Sequence, residues 1–439
     1  MNGASAIDRI AASHAGIAGR LAGGPDWAGR RRRALDALVA RGLPERRDEN
    51  WKYLDHTRIG EYAFDVAPGA SPDKNTLAGV RLPIAGALPI VLVDGRFDAA
   101  LSAPAADGCR VLDLGALLAR DPAAAQAALR VPVEDADDRF ALLAEAFADG
   151  GVVIRVDAGC APAGPLHLLH VATAARAAAQ HARVVIEVGA GARVVLVEEF
   201  LSLGGAAVFG NLAGELSIGA SADVEHLRLH RENAASARIE TWVAHQAAGS
   251  RYRQHLVALG GRVLRSNLRL ALEGEAAECR LAGLFLAAGE RQVDLYTEVR
   301  HHAPRTRTIQ DYRGIATDRG RGALNGRIVV HPAARGADAS QSIRNLLLSP
   351  LAELNARPQL EIHVDDVRCR HGATTGTLDP AQLFYLLSRG LDQAEAKRLL
   401  TFAFCQDVLA GIPLAEFRDY AATQVAGILP DSELLRGPP

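Results

Sequence analysis

Lysine is nearly absent from this chain: Lys52, Lys74 and Lys397 are the only ones in 439 residues, and none falls between 75 and 396. Arginine supplies the remaining positive charge, and the formal net charge is −2. Such a balance provides no general field to draw in nucleic acid or acidic lipid. Neither nucleic acid nor a membrane surface is therefore an expected partner. No Gly-Lys pair exists, which excludes a Walker A loop, and no GxSxG, HExxH or Gly-rich dinucleotide fingerprint occurs. Nucleotide hydrolysis by this chain alone is not expected. The five cysteines (Cys109, Cys160, Cys279, Cys369, Cys405) are odd in number and never spaced CxxC, so they form neither a disulfide framework nor an autonomous cluster or zinc motif. No stretch approaches the roughly 18 apolar residues of a membrane span. Asp8 and Arg9 interrupt the opening residues too early for a secretory core, and a reducing cytoplasm is the expected compartment.

What is present is apolar surface: hydrophobic residues make up 49% of the chain, and the length allows two or three structural units. Residues 1–150 read as a mostly helical region. Asp26 is a plausible cap before WAGRRRRALDALVARG, with Gly42 closing it. Trp51 and Tyr53 punctuate a polar connector and are expected to dock on neighbouring structure. PIVLVDG at 89–95 is strand-like, and 113–129 and 136–148 are rich enough in Ala and Leu for helices. From Gly151 short β-type runs separated by Gly, Ala and Asp recur roughly every 8–12 residues. The repetition suits a parallel β-helix or a sandwich, and periodicity leaves both open because no strict repeat consensus is visible. The β core is assigned to 151–366. The remainder, 367–439, holds a last strand and then helices. Asp379 caps the first, with Pro380 at N1 and Gly390 beyond its end. Asp392 and Glu395 form a capping box for the second, and Pro413 opens the third.

The sharpest local signal lies in LEIHVDDVRCRHGATTG. Leu360, Ile362 and Val364 alternate with Glu361, His363 and Asp365, and the parity then slips by one at Asp365–Asp366, where a corner or bulge belongs. Beyond it Val367, Cys369 and His371 share one face of a strand and Arg368 and Arg370 the other. Residues two apart on a strand lie about 6.5–7 Å apart at Cα, close enough for a thiolate and an imidazole to reach one metal ion. Two ligands do not close a site, so further ligands would come from elsewhere, including another chain. An alternating Val-Cys-His face is also what ordinary packing looks like. Cys405, among helical core positions, reads as structural. His301 and His302 are adjacent at a strand end and point to opposite faces, which argues against their sharing an ion. Asn325-Gly326-Arg327 resembles a tight turn between strands.

These residues carry a resemblance. TRTIQDYRGI, ALNGRIVVHPAARGADASQSIRNLLLS, RPQLEIHVDDVRCRHGATTGTLD and LFYLLSRGL follow in order between about Ala303 and Phe404, and with ENWKYLD at 49–55 they resemble the SufD family of iron–sulfur cluster assembly proteins. The paralogous SufB has an EHEAS-type motif where this chain has CRHGAT. The resemblance implies a mainly β fold, a right-handed parallel β-helix core flanked by N-terminal and C-terminal helical regions. It implies a non-catalytic scaffold subunit of the SufBCD complex, pairing through its β-helix with SufB and binding the SufC ATPase through helices within 380–430. It points to His371 as a candidate ligand shared with SufB and to Cys369 as its neighbour at the cluster interface. No cofactor is implied for the chain alone, only iron or a transient iron–sulfur cluster at the SufB interface, and without SufB a homodimer is left open. Arg368 and Arg370 depart from the family's more usual Lys and Ser. The competing readings are a β-helix enzyme such as a polysaccharide lyase, for which the lack of a signal and of lysine is unfavourable, and a stand-alone metal-binding or acyl-transfer solenoid.

Overall fold

The computed structural model describes residues 5–66, 69–104, 107–129 and 139–428. Residues 136–138 of the expected third helix, the first four of the opening segment and 429–439 of the C-terminal region lie outside them. The N-terminal region contains α1 (Ala6–Ile17), α2 (Gly24–Arg41), α3 (His56–Gly60) and α4 (Lys74–Val80). Next come β1 (Leu88–Val93), β2 (Arg96–Phe97) and β3 (Cys109–Asp113), then α5 (Leu114–Arg120), α6 (Pro122–Ala128) and α7 (Arg139–Phe147). Helix α2 starts earlier than the sequence suggests. Asp26 sits in its first turn rather than at its cap, which is Gly23 at φ +112°. The reason is steric, since a Cβ on Gly23 would fall 2.7 Å from Trp27 Cβ, so the position takes glycine and the chain turns into the helix there.

The β region begins with β4 (Gly151–Val156), β5 (Leu166–Ala172), β6 (Ala178–Val188), β7 (Arg193–Ser202) and β8 (Val208–Ile218). It continues through β9 (Asp223–Arg231), β10 (Ala237–Gln246), β11 (Arg251–Ala258), β12 (Val263–Leu272) and β13 (Glu278–Ala287). Its final strands are β14 (Gln292–His301), β15 (Arg307–Ala316), β16 (Arg321–Val330), β17 (Ala337–Leu347), β18 (Glu353–Ile362) and β19 (Val367–Gly376). Odd strands from β5 to β19 form one parallel sheet with β1, and even strands from β4 to β18 form the other. Consecutive strands thus alternate between two sheets while each pairs with the strand one coil away. This is a parallel β-solenoid between helical ends, and it decides against the sandwich that periodicity left open. Val263, Gln292 and Arg321 stack in register along one column of it.

The inward side chains of both sheets interleave as one apolar core, including Ile186, Leu216, Leu270, Phe285 and Leu324. The outer face of the even sheet is covered by the N-terminal region. There Leu38 of α2 and Leu142 of α7 pack with Phe209 and Ile239, and Trp51 lies 5.2 Å from Phe140 with the Arg265 guanidinium over its ring. After the strands come α8 (Pro380–Ser388), α9 (Gln393–Leu409) and α10 (Ala415–Ile428), and α9 and α10 cover the outer face of the odd sheet while α8 packs on α9. Cys405, Val408, Phe417 and Val425 meet Leu227, Val257, Leu284 and Ile315 there. The first two caps are those the sequence predicts: Asp379 accepts from the Ala381 amide, and Asp392 and Glu395 form a reciprocal capping box; the third helix starts at Ala415, two residues after Pro413. Among the described residues no helix is long and apolar enough to cross a membrane.

Asn325-Gly326-Arg327 is not a turn. It lies in the middle of β16, and Gly326 is there because a Cβ would come 1.9 Å from Nε2 of Gln341. A close approach inside the solenoid, rather than a change of chain direction, requires the glycine.

Candidate functional site

Cys369 and His371 lie on β19, the last strand of the odd sheet, and β18 is the last strand of the even sheet. Among the described residues both sheets therefore end side by side on strand edges with no further partner, a ready template for pairing. The corner predicted at Asp365–Asp366 separates them. Pro358 sits within β18 opposite Gly326, a position proline tolerates because this is an edge strand.

The register explains how the two candidate residues differ. Cys369 stands opposite Ala339 and His371 opposite Gln341. Cys369 is half-buried against a small apolar cluster that includes Ile328, Ala339, Leu360 and Val367. Burial pushes its thiol up, a backbone hydrogen bond at Ala339 opposes this, and Asp338 adds to it. At neutral pH it is a protonated thiol unless a metal or a cation arrives. His371 is exposed. It ends a polar column that runs back along the solenoid through Gln341 and Gln310. Gln341 donates to Gln310 at 2.9 Å, and Gln310 accepts from the Thr297 hydroxyl at 3.0 Å. The inner members are buried and linked to each other, with Gln310 Nε2 and Gln341 Oε1 left without partners, whereas the last is open because no coil follows it among the described residues. Nearby, Glu361 accepts from Arg327 and lies 2.9 Å from Nε2 of His363. The Arg327 hydrogen bond, then that of His363, holds its carboxyl below the usual range.

Among the described residues no three His, Cys, Asp or Glu side chains gather as a metal-binding set. The chain thus offers at this edge a thiol and an imidazole, not a complete coordination shell. The other candidates separate as the strand and helix patterns predict. His301 is buried, held by the hydroxyls of Thr306 and Thr308 at 2.8 and 2.9 Å, and burial brings it down to about 4. His302 points the other way and stacks on His331 with ring centroids 4.1 Å apart. Cys405 is fully buried in the helical cluster, and burial pushes its thiol up to about 12.

Comparison with known proteins fits this arrangement. Residues 170–404 match the family model described as the SUF system FeS cluster assembly, SufBD core domain. The chain is 32% identical over 381 residues, 85% of its length and 86% of the relative's, to the iron–sulfur cluster assembly protein SufD of Escherichia coli. The chain belongs to the SufD family. It is also 29% identical over 402 residues to the iron–sulfur cluster assembly SufBD family protein slr0076 of Synechocystis sp., covering 89% of this chain and 88% of that one. With Protein ABCI7, chloroplastic, of Arabidopsis thaliana it shares 31% identity over 286 residues, 63% and 60% of the two chains. Membership places the chain in iron–sulfur cluster assembly, and the matched core runs from β5 through the Cys369–His371 edge into α9.

One constellation escapes sequence reading altogether in this SufD-family solenoid. Inside the lumen Glu198 lies 3.0 Å from His170, 3.3 Å from His226 and 2.6 Å from Arg228. Arg228 reaches on to Glu240 at 2.7 Å, and Glu232 pairs with Arg238 at 2.7 Å. Phe200 is sandwiched between the rings of His170 and His230 at 4.3 and 4.2 Å. Its members come from β5, β7, β9 and β10 and from the corner after β9. They are separated by up to 70 positions, so no local motif could have announced them.

Proposed function

We propose that this chain is a non-catalytic scaffold subunit of a SufBCD-type complex, with His371 as a ligand, shared with SufB, for iron or a nascent cluster. The observation that carries the reading is the exposure of His371 on an unpaired final strand of a parallel solenoid. A second solenoid ending on the same kind of edge could continue both sheets and bring its own donors beside the imidazole. Cys369, half-buried and protonated, supports the joint and supplies a second donor when its proton is displaced. The iron or cluster is cargo held at the joint, and the chain keeps no cofactor of its own. SufC would dock on the helices within 380–430, where α8 turns Phe384, Tyr385 and Leu387 to solvent. ATP-driven approach of two SufC subunits would then strain these helices and open the SufB seam, a shift between two states driven by differential nucleotide contacts. The compartment is the cytoplasm.

The test is cluster formation in the reconstituted complex with His371→Ala and Cys369→Ala compared side by side. Loss in His371→Ala with partial retention in Cys369→Ala is expected. Undiminished cluster yield in His371→Ala, with the complex intact by size-exclusion chromatography, would remove the ligand role.

A further inference from the structure

A cavity of about 860 Å³ lies between the end of the solenoid and the C-terminal helices. Its walls are apolar, formed by Leu347 at the end of β17, Leu348 and Pro350 just beyond it, Leu378 after β19 and Leu383 of α8. The volume falls in the range of small-molecule sites. Along its remaining side run the first turns of α9, which contribute Lys397, Arg398 and Thr401.

Arg398 is the unusual member. It is 4% exposed, and its buried Nη1 has no hydrogen-bond partner. No ion pair involves it among the described residues, whereas the other buried arginines are all engaged. Arg31 donates to the Ala148 carbonyl, Arg183 pairs with Glu145, and Arg228 with Glu198 and Glu240. Arg238 pairs with Glu232, Arg265 with Asp294, and Arg313 with Asp311. Leaving a guanidinium desolvated without a counter-ion is costly, and removal of its charge by deprotonation is not open to arginine. No hydroxyl of the cavity accepts from this Nη1: Ser349 is turned to donate to the Asp318 carbonyl at 2.6 Å and Thr401 to the Lys397 carbonyl at 2.8 Å. Lys397 stands exposed beside the same cavity.

We propose that this cavity is a binding site for a small organic anion with an apolar body. Its carboxylate or phosphate is held by Arg398 and steered by Lys397, and its tail lies against Leu347, Pro350, Leu378 and Leu383. The guanidinium fork matches two oxygens of either headgroup, and the leucine walls give the tail a dry surface. A neutral amphiphile satisfies the walls and leaves the guanidinium as it was, so charge is the discriminating feature. Because the site is lined by α8, α9 and the last coils, its occupant bridges helical unit and solenoid.

The experiment uses the purified full-length chain with octanoate, octyl phosphate and octanol as probes, read by calorimetric titration and thermal melting. Octanoate or octyl phosphate is expected to bind one to one and raise the melting temperature, and the stronger of the two identifies the headgroup. Octanol is expected to bind far more weakly. Arg398→Met should reduce anion affinity roughly tenfold or more while melting no lower than the parent in the absence of probe, because an uncompensated charge has been removed. Lys397→Gln, an exposed change that leaves the fold intact, should reduce affinity by a smaller factor. Equal binding of octanol and octanoate, unchanged affinity in both variants, or no binding of either anion would overturn the proposal.

Discussion

Arg228 on β9 and Glu240 on β10 meet across the lumen at 2.7 Å, tying one sheet of the solenoid to the other with an ion pair that solvent does not reach. The same guanidinium holds Glu198 of β7 at 2.6 Å, so one arginine serves two buried carboxylates. For both glutamates burial pushes the carboxyl up, but Arg228, joined by His170 and His226 at Glu198 and by His230 at Glu240, outweighs it, and they are held below their ordinary range. Arg228→Met deletes the one arginine or lysine among the described residues that pairs with both. It is expected to cost about 3–5 kcal/mol, the usual penalty for stranding a buried charge, measured by urea unfolding. Arg228→Lys keeps the charge but not the fork and should fall between. A loss well under 1 kcal/mol for Arg228→Met would show that the carboxylates are not dependent on it.

The same groups set a pH dependence. Burial pushes the Glu232 carboxyl up, yet Arg238 and His230 overcome this and hold it at about 2. Burial alone brings His181 down to about 3, and it also lowers His170 and His226 against the pull of Glu198. For each of these the unfolded chain binds protons at a pH where the folded one does not, so stability rises with pH across that interval. The histidines act from about pH 6.5 downward and the carboxylates from about 4.5 downward. The urea midpoint is therefore expected to fall between pH 7 and pH 5 and more steeply below it. A midpoint that is flat or rises as the solution is acidified through that range contradicts the assignment.

How much of this was legible in the sequence depends on how far apart the cooperating residues lie. The C-terminal caps could be read because Asp379 with Pro380, and Asp392 with Glu395, complete their chemistry within four positions. Cys369 and His371 could be placed on one face because alternation is local, and the corner at Asp365–Asp366 announces itself as a slip in that alternation. The solenoid's own repeat could not. Gly159, Gly191, Ser221, Gly249, Ala276, Arg305 and Gly336 occupy one corner of successive coils, each with a left-handed backbone and each donating its amide to the following coil. That corner constrains φ rather than residue type, and a column that mixes glycine with Ser, Ala and Arg leaves no consensus. Gly326 resembles a turn residue in the sequence for the related reason that its partner, Gln341, is adjacent only through the coil.

The corner column makes its own prediction. Ala276 holds φ +55°, where an L-residue is strained by about 1–2 kcal/mol. Glycine removes that strain while adding about 0.4–1 kcal/mol of unfolded-state entropy. Ala276→Gly should therefore stabilise the chain by about 0.5 kcal/mol, seen as a higher urea midpoint with an unchanged slope. Destabilisation would mean that the methyl group is packed rather than strained.

Helix α8 has no buried residue, although Phe384, Tyr385 and Leu387 are exposed at 72%, 56% and 38%. Aromatic side chains presented this way carry binding energy when a partner buries them. The double change Phe384→Ser with Tyr385→Ser is expected to lower SufC affinity at least about tenfold and leave the melting temperature of the free chain unchanged. SufC binding that survives the double change would move the docking surface off α8.

The cysteines supply a direct probe of the proposed SufB joint, because they differ in exposure. Cys109, Cys279 and Cys405 are buried, and Cys160 and Cys369 are partly open. In the free chain iodoacetamide is expected to modify Cys160 and Cys369 and to spare the other three, since both access and thiolate fraction limit alkylation. Cys160 lies near the opposite end of the solenoid, where its thiol donates to the Asp107 carbonyl at 3.5 Å, so it is an internal control. If the β19 edge pairs with SufB, complex formation slows modification of Cys369 at least about tenfold, because alkylation needs an accessible thiolate, and leaves the rate at Cys160 alone. Equal Cys369 rates with and without SufB would place the joint elsewhere, and with it the role assigned to His371, two residues further along the same strand.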